Sequence, residues 1–148
     1  MANLIPNSFR GALFSGQHDF QNSGGNTFKL SLYTGSIASV YTVSSTVFSA
    51  TNEVSSGGGS NYAVKTLTNN GVVSSTVVAS VDFANVSYSS ATFTAAYAAI
   101  YNSDTVDSVA NRLVVVLDFG GNKTATNGTF TITFPDPTTA SNAIISMS

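Results

Sequence analysis

The feature that most constrains this chain is a period of two. Segment after segment alternates apolar with polar side chains, the pattern of a strand with one buried face. Phe28, Leu30 and Leu32 alternate with Lys29, Ser31 and Tyr33. Val77, Ala79, Val81 and Phe83 alternate with Val78, Ser80 and Asp82. The spacing puts Phe93, Ala95, Tyr97, Ala99 and Tyr101 on one face of a long strand. Leu113, Val115, Leu117 and Phe119 line one face of RLVVVLDF. Its other face is apolar at Val114 and Val116, as expected of a central strand. TFTITF turns Phe130, Ile132 and Phe134 inward and threonines outward, and AIISM near the end is a further strand.

Turn signals separate these runs: GSI after the first, SSGGGSN at 55–61, TNNG at 68–71 and NSDTVDSVAN at 102–111. Helix candidates are short. Ser8 is placed to cap FRGALF, with a stop at Gly16, and TNEV at 51–54 is a weaker second. The expected fold is therefore all-β: an antiparallel, jelly-roll-like β-sandwich of about eight strands with a short N-terminal arm or helix. A chain of 148 residues is one domain in size. It divides into an N-terminal segment, 1–20, and a sandwich, 21–148.

LDFGGNKTATNGTF, at 117–130, invites comparison with a phosphate-cradling loop. That loop needs a glycine directly before its lysine, another five residues earlier, and a helix to follow. Here Asn122 and Leu117 hold those positions, and a run of period two follows. A hairpin between RLVVVLDF and TFTITF is the expectation, with Lys123 as a solvated charge at its tip.

Composition narrows the chemistry further. There is no cysteine, so no disulfide, thiolate nucleophile or thiolate metal site is available. Charged residues make up 8% of the chain, against about 25% in ordinary soluble proteins. The polar surface must be built from hydroxyls and amides, which repel one another little. A net charge of −2, with basic residues scattered from Arg10 to Lys123, gives no footprint for nucleic acid. No apolar run approaches the ~20 residues of a membrane-spanning helix. The start lacks the pattern of a secretory signal, so synthesis in a cytoplasm is expected.

The candidates for chemistry are few. His18 is the only histidine and Asp19 follows it, but neighbours on an extended chain point opposite ways. An interface or structural histidine beside Phe20 is the expectation. Asp104 and Asp107, near Asn102, lack calcium-loop spacing and read as turn aspartates. Asp82 and Asp118 read as outward strand charges that guard against edge pairing. The six tyrosines could stack on sugars; filling cores and interfaces is the simpler use. No catalytic, cofactor-binding or metal-binding residue is expected, and the chain reads as a non-enzyme without cofactor.

Three blocks carry a family resemblance: HDF with TFKLSLYTGS (18–20, 27–36); NEVSSGGGSNYAVKTLTN (52–69); and VDFANVSYSSATFTAAYAAIYN through LVVVLDFGGNKTATNGTFTITFP to AIISM. They resemble small virion structural proteins of tailed bacteriophages, such as those of cyanophages. The resemblance implies a capsid decoration, or cement, protein: a small β-sandwich, often a homotrimer, that sits on the outside of the shell and clamps capsomers. Its partners would then be the major capsid protein and copies of itself, with no nucleic acid, membrane or small-molecule substrate. A glycan-binding tail-fibre or baseplate component is the alternative, and a polysaccharide-degrading enzyme a more distant one. The segment 1–20 is the expected docking arm, with Leu4, Ile5, Phe9, Arg10, Phe14, His18 and Phe20 as contact residues. Leu13 adds to an apolar content higher than a free tail should expose. The capsid, a sister subunit or the chain's own sandwich could each receive it.

Overall fold

The computed structural model describes residues 3–74, 78–135 and 143–147. In chain order the elements are α1 (Asn7–Phe14), β1 (Phe28–Tyr33), β2 (Lys65–Thr66), β3 (Asn69–Ser74), β4 (Ala79–Phe83), β5 (Val86–Asn102), β6 (Arg112–Ile132) and β7 (Ile145–Met147). They form two antiparallel sheets, β2-β1-β5-β6 and β3-β4-β7. This is the expected all-β sandwich with a short N-terminal helix. Val77 lies outside the described residues, so the run it opens is seen from Ala79 onward.

One long hairpin dominates the molecule. β5 and β6 pair from Asn102↔Arg112 at the 103–111 loop to Val86↔Ile132 at the far end. That pairing overturns the hairpin expected at 117–130. RLVVVLDF and TFTITF are not two strands folded on each other; they are successive parts of one strand, both paired to β5. The glycine-rich stretch is a bulge. Between the pairs Ala95↔Lys123 and Tyr97↔Asp118, Ala96 alone stands on β5 while residues 119–122 stand on β6. Gly120 and Gly121, with φ of 71° and 133°, take the turns that let the extra residues loop out without breaking the ladder. Lys123 is exposed, on a bulge flank and not at a hairpin tip.

The same irregularities explain why simple alternation fails along this hairpin. The main core contains Phe93, Ala95, Ala98 and Ile100, whereas Tyr97 and Ala99 belong to a second, smaller cluster with Tyr33, Ile37 and Tyr41. The register shift between Ala95 and Tyr97 turns the strand over, so the face predicted to hold Phe93 through Tyr101 is split between two cores. A further shift between Ile100 and Tyr101 does the same to β6. Leu113 joins the small cluster, while Val115, Leu117 and Phe119 pack against the large one.

Three smaller expectations change. TNEV forms a turn, from which Glu53 bridges Tyr33 and Val54 N–H bonds Leu32 O at 2.8 Å. Asn69 to Gly71 of TNNG open β3 instead of forming a turn. Asp82 is buried, with Asn70 Nδ2 donating to it at 3.3 Å, and is not an outward charge.

Candidate interaction surfaces

The N-terminal segment is folded onto its own sandwich. Leu4 exchanges two backbone bonds with Val116, at 2.9 and 2.8 Å, and Asp118 N–H donates to Asn3 Oδ1 at 2.8 Å. α1 then buries Phe9 and Ala12. Pro6 occupies the N-cap position, and Ser8, the expected cap, lies within the helix and donates its hydroxyl to Ser45 O. The helix ends at Phe14 and Gly16 is the stop, as predicted: its φ of 65° allows Gly16 N–H to reach Leu13 O and Gln17 N–H to reach Ala12 O. Of the seven expected contact residues, Phe9, His18 and Phe20 are buried and Leu4 and Ile5 half-buried, all against the chain's own sheets. Arg10 is exposed, and Phe14 is 89% exposed. A docking role for the segment therefore falls on those two.

His18 sits in an aromatic cage, its ring 5.0 Å from that of Phe9 and 6.2 Å from that of Phe20. Asn102 Nδ2 donates both to His18 Nδ1, at 3.1 Å, and to Asn26 Oδ1, at 3.0 Å. Nδ1 is therefore the acceptor and the proton lies on Nε2. Burial, aided by the positive charge of Arg112, lowers the pKa to about 4. The imidazole is neutral near pH 7. Asp19 does not orient it; its carboxylate accepts from Gln21 N–H. The pair therefore lacks the arrangement of a base with its orienting acid.

The loop aspartates are also spent locally. Asp104 accepts from Asn26 Nδ2 and Thr27 N–H, while Asp107 accepts from Gln17 Nε2 and lies 3.7 Å from Arg112. Among the described residues no three His, Asp or Glu side chains gather as a metal site would require. Five of the six tyrosines are buried. Tyr33 and Tyr41 share a hydrogen bond at 2.8 Å, and Tyr62 donates to Glu53 at 2.6 Å. Burial raises the pKa of both Tyr33 and Tyr62. These rings hold the core together and are not open to stack on sugars.

A concavity lies along β6, the edge strand of its sheet. A groove of about 800 Å³ runs beside the strand, walled by Phe119, Phe130, Ile132, Phe134 and Ile144, with Lys123 at its rim. The outer edge of β6 is unevenly covered. From Arg112 to Asp118 the chain caps it: Leu113 N–H bonds Thr46 O, Val47 bridges Arg112, and Asn3 and Leu4 continue the cover. From Phe119 to Ile132 no described segment pairs with it. The opposite edge of the sheet is β2, only two residues long. Sequence patterning found the strand but not the edge, because edge status depends on the order of strands, which alternation does not encode.

Compared with known protein families, with curated proteins and with solved structures, the chain matches none.

Proposed function

We propose that this chain is a non-enzymatic structural protein of a phage particle, of the decoration type. It binds the outside of the shell, on the major capsid protein, and stabilises contacts between capsomers after synthesis in the host cytoplasm. The observation that carries this reading is the half of β6 that no described segment covers, beside an apolar groove. An open sheet edge accepts an extended segment of another protein through backbone hydrogen bonds, and flanking pockets take its alternate side chains. Each contact is weak, and a lattice of identical sites adds them up. The three sequence blocks that resemble virion proteins support the same role.

Charge contributes little at this surface, since among the described residues Asp118 and Lys123 are the charged ones along the groove. Attachment should therefore persist in high salt, because screening weakens exposed ion pairs and leaves apolar contacts and buried backbone bonds largely intact. The deciding experiment is to count the chain in purified particles and locate it by imaging. Many copies on the outer shell surface are expected. A few copies at the tail, or none in the particle, would overturn the proposal.

A further inference from the structure

Beyond attachment to a shell, the open edge carries a feature that selects its own partner. The end of the strand and the two residues after it read Phe130-Thr131-Ile132-Thr133-Phe134, which is the same in both directions. An antiparallel strand pair reverses one sequence against the other. Two copies of this stretch, related by a two-fold axis at Ile132, would therefore set like against like. Phe130 would face Phe134 of the second copy, Thr131 would face Thr133, and Ile132 would face itself. Aromatic–aromatic and Thr–Thr pairs are among the favourable cross-strand combinations, and a two-fold contact requires this kind of self-complementarity. We propose that the chain forms a homodimer by antiparallel pairing of residues 130–134 across this edge, which leaves residues 123–129 of the same edge for attachment to the shell.

The backbone is oriented for it. Ser87 Oγ and Thr131 Oγ1 lie 3.1 Å apart across the ladder, the close side-chain approach of a pair that does not exchange hydrogen bonds. Phe134 N–H is directed to Asn85 Oδ1, on the β5 side. Alternation then turns the N–H and C=O groups of Thr131 and Thr133 to the open side. The ladder is regular here, with Val86↔Ile132, Ser87↔Thr131 and Tyr88↔Phe130 in unbroken register, whereas upstream it is interrupted by bulges. The usual guards of an edge, bulges and charges, are absent from this stretch. It ends cleanly, because Thr129 would meet Pro135, which has no N–H to donate.

Packing favours the same arrangement. Phe130, Ile132 and Phe134 are 8%, 8% and 7% exposed, on the core side, while Thr131 and Thr133 are exposed. Pairing would place the apolar side chains of the two copies together along the groove, continuing one core into the next, and would match threonines on the outside. The axis is two-fold, so the assembly is a dimer and not the trimer implied by the family resemblance.

The test is sedimentation equilibrium of the full chain over a wide concentration range. A mass rising towards twice 15.2 kDa is expected. The double variant Thr131→Lys, Thr133→Lys sets lysines opposite each other and should remain monomeric at every concentration, with an unchanged circular dichroism spectrum and melting curve. Independently, Thr131→Cys, Thr133→Cys in this cysteine-free chain should oxidise to a covalent dimer. A pair of cysteines at Ser89 and Thr92 should not. Three outcomes would overturn the dimer: a wild-type chain that stays monomeric, a trimer, or a cysteine pair that fails to cross-link while the wild type associates.

Discussion

The two halves of β6 pair with the same strand and differ in what lies on their other side. From Arg112 to Asp118 the outer edge is covered by Asn3, Leu4 and the 46–48 segment, and Leu113 to Val116 are all buried. From Lys123 to Ile132 no described segment pairs with the outer edge, and buried residues alternate with exposed threonines. The first half behaves as a central strand although it lies at the edge of its sheet, because the chain supplies its own cover. The second half is a true edge. The bulge at 119–122 divides them. A single strand thus does two jobs: one part is core, the other is surface held in register by that core.

The largest expected effect breaks the covered half. Val115→Asp would bury a carboxylate among apolar side chains and should cost more than about 4 kcal/mol, enough to leave little folded protein by circular dichroism. Thr129→Asp, in the open half, should change stability by no more than about 0.5 kcal/mol. Equal losses at both positions would erase the distinction.

Next comes Phe130→Ala. Its ring is buried against Phe93, at 5.0 Å, and Tyr88, at 6.3 Å, so urea denaturation should show a loss of about 3–5 kcal/mol. The open half is open at its backbone, not in its core-facing side chains, and a loss near zero would show that its inward face is not packed.

A pH effect of intermediate size belongs to the covered half. His18 titrates at about 4 in the folded chain and at about 6.5 unfolded. Its folded pKa is depressed, so the unfolded state binds the proton more tightly and stability falls as pH drops from 6.5 towards 4. The full penalty is on the order of 3 kcal/mol. In His18→Phe this part of the pH dependence should disappear from the denaturation midpoints between pH 4 and 7. An unchanged slope would show that His18 is accessible to solvent protons in the native state.

Smaller still is Leu4→Pro. It removes the N–H that bonds Val116 O and should cost about 1–2 kcal/mol, read as a lower melting temperature. The same substitution should also speed amide exchange at Val116 and leave exchange at Phe130 unchanged.

The strands were legible because burial on one face imposes a period of two; TFTITF keeps that period, whereas β1 and β4 are buried on both faces, with Ser31, Ser80 and Asp82 inside. Faces were lost where bulges intervened. Alternation assumes that each residue advances the ladder by one step, and Ala96 against residues 119–122 violates it. Gly-Gly-Asn looked like a hairpin turn because positive φ serves bulges and turns alike. The apolar content of the arm is a sign that it must be buried, on a shell, a sister subunit or its own sandwich. Composition alone does not name the surface that buries it, and here its own sheets do. His18 was expected beside Phe20 and is, but its bond to Asn102 spans 84 residues, a separation no local pattern reports. The palindrome at 130–134 lay in plain sight. It acquired meaning only once the sheet order placed it on an open edge.

The most direct measurement is hydrogen–deuterium exchange along β6 at low and high protein concentration. Amides of residues 112–118 should exchange slowly at both, since the chain covers them itself. Those of Thr131 and Thr133 should exchange fast when dilute and slow when concentrated, as a second strand pairs with them. Exchange at 131 and 133 that is slow in dilute solution, or indifferent to concentration, would contradict an open edge that recruits a partner.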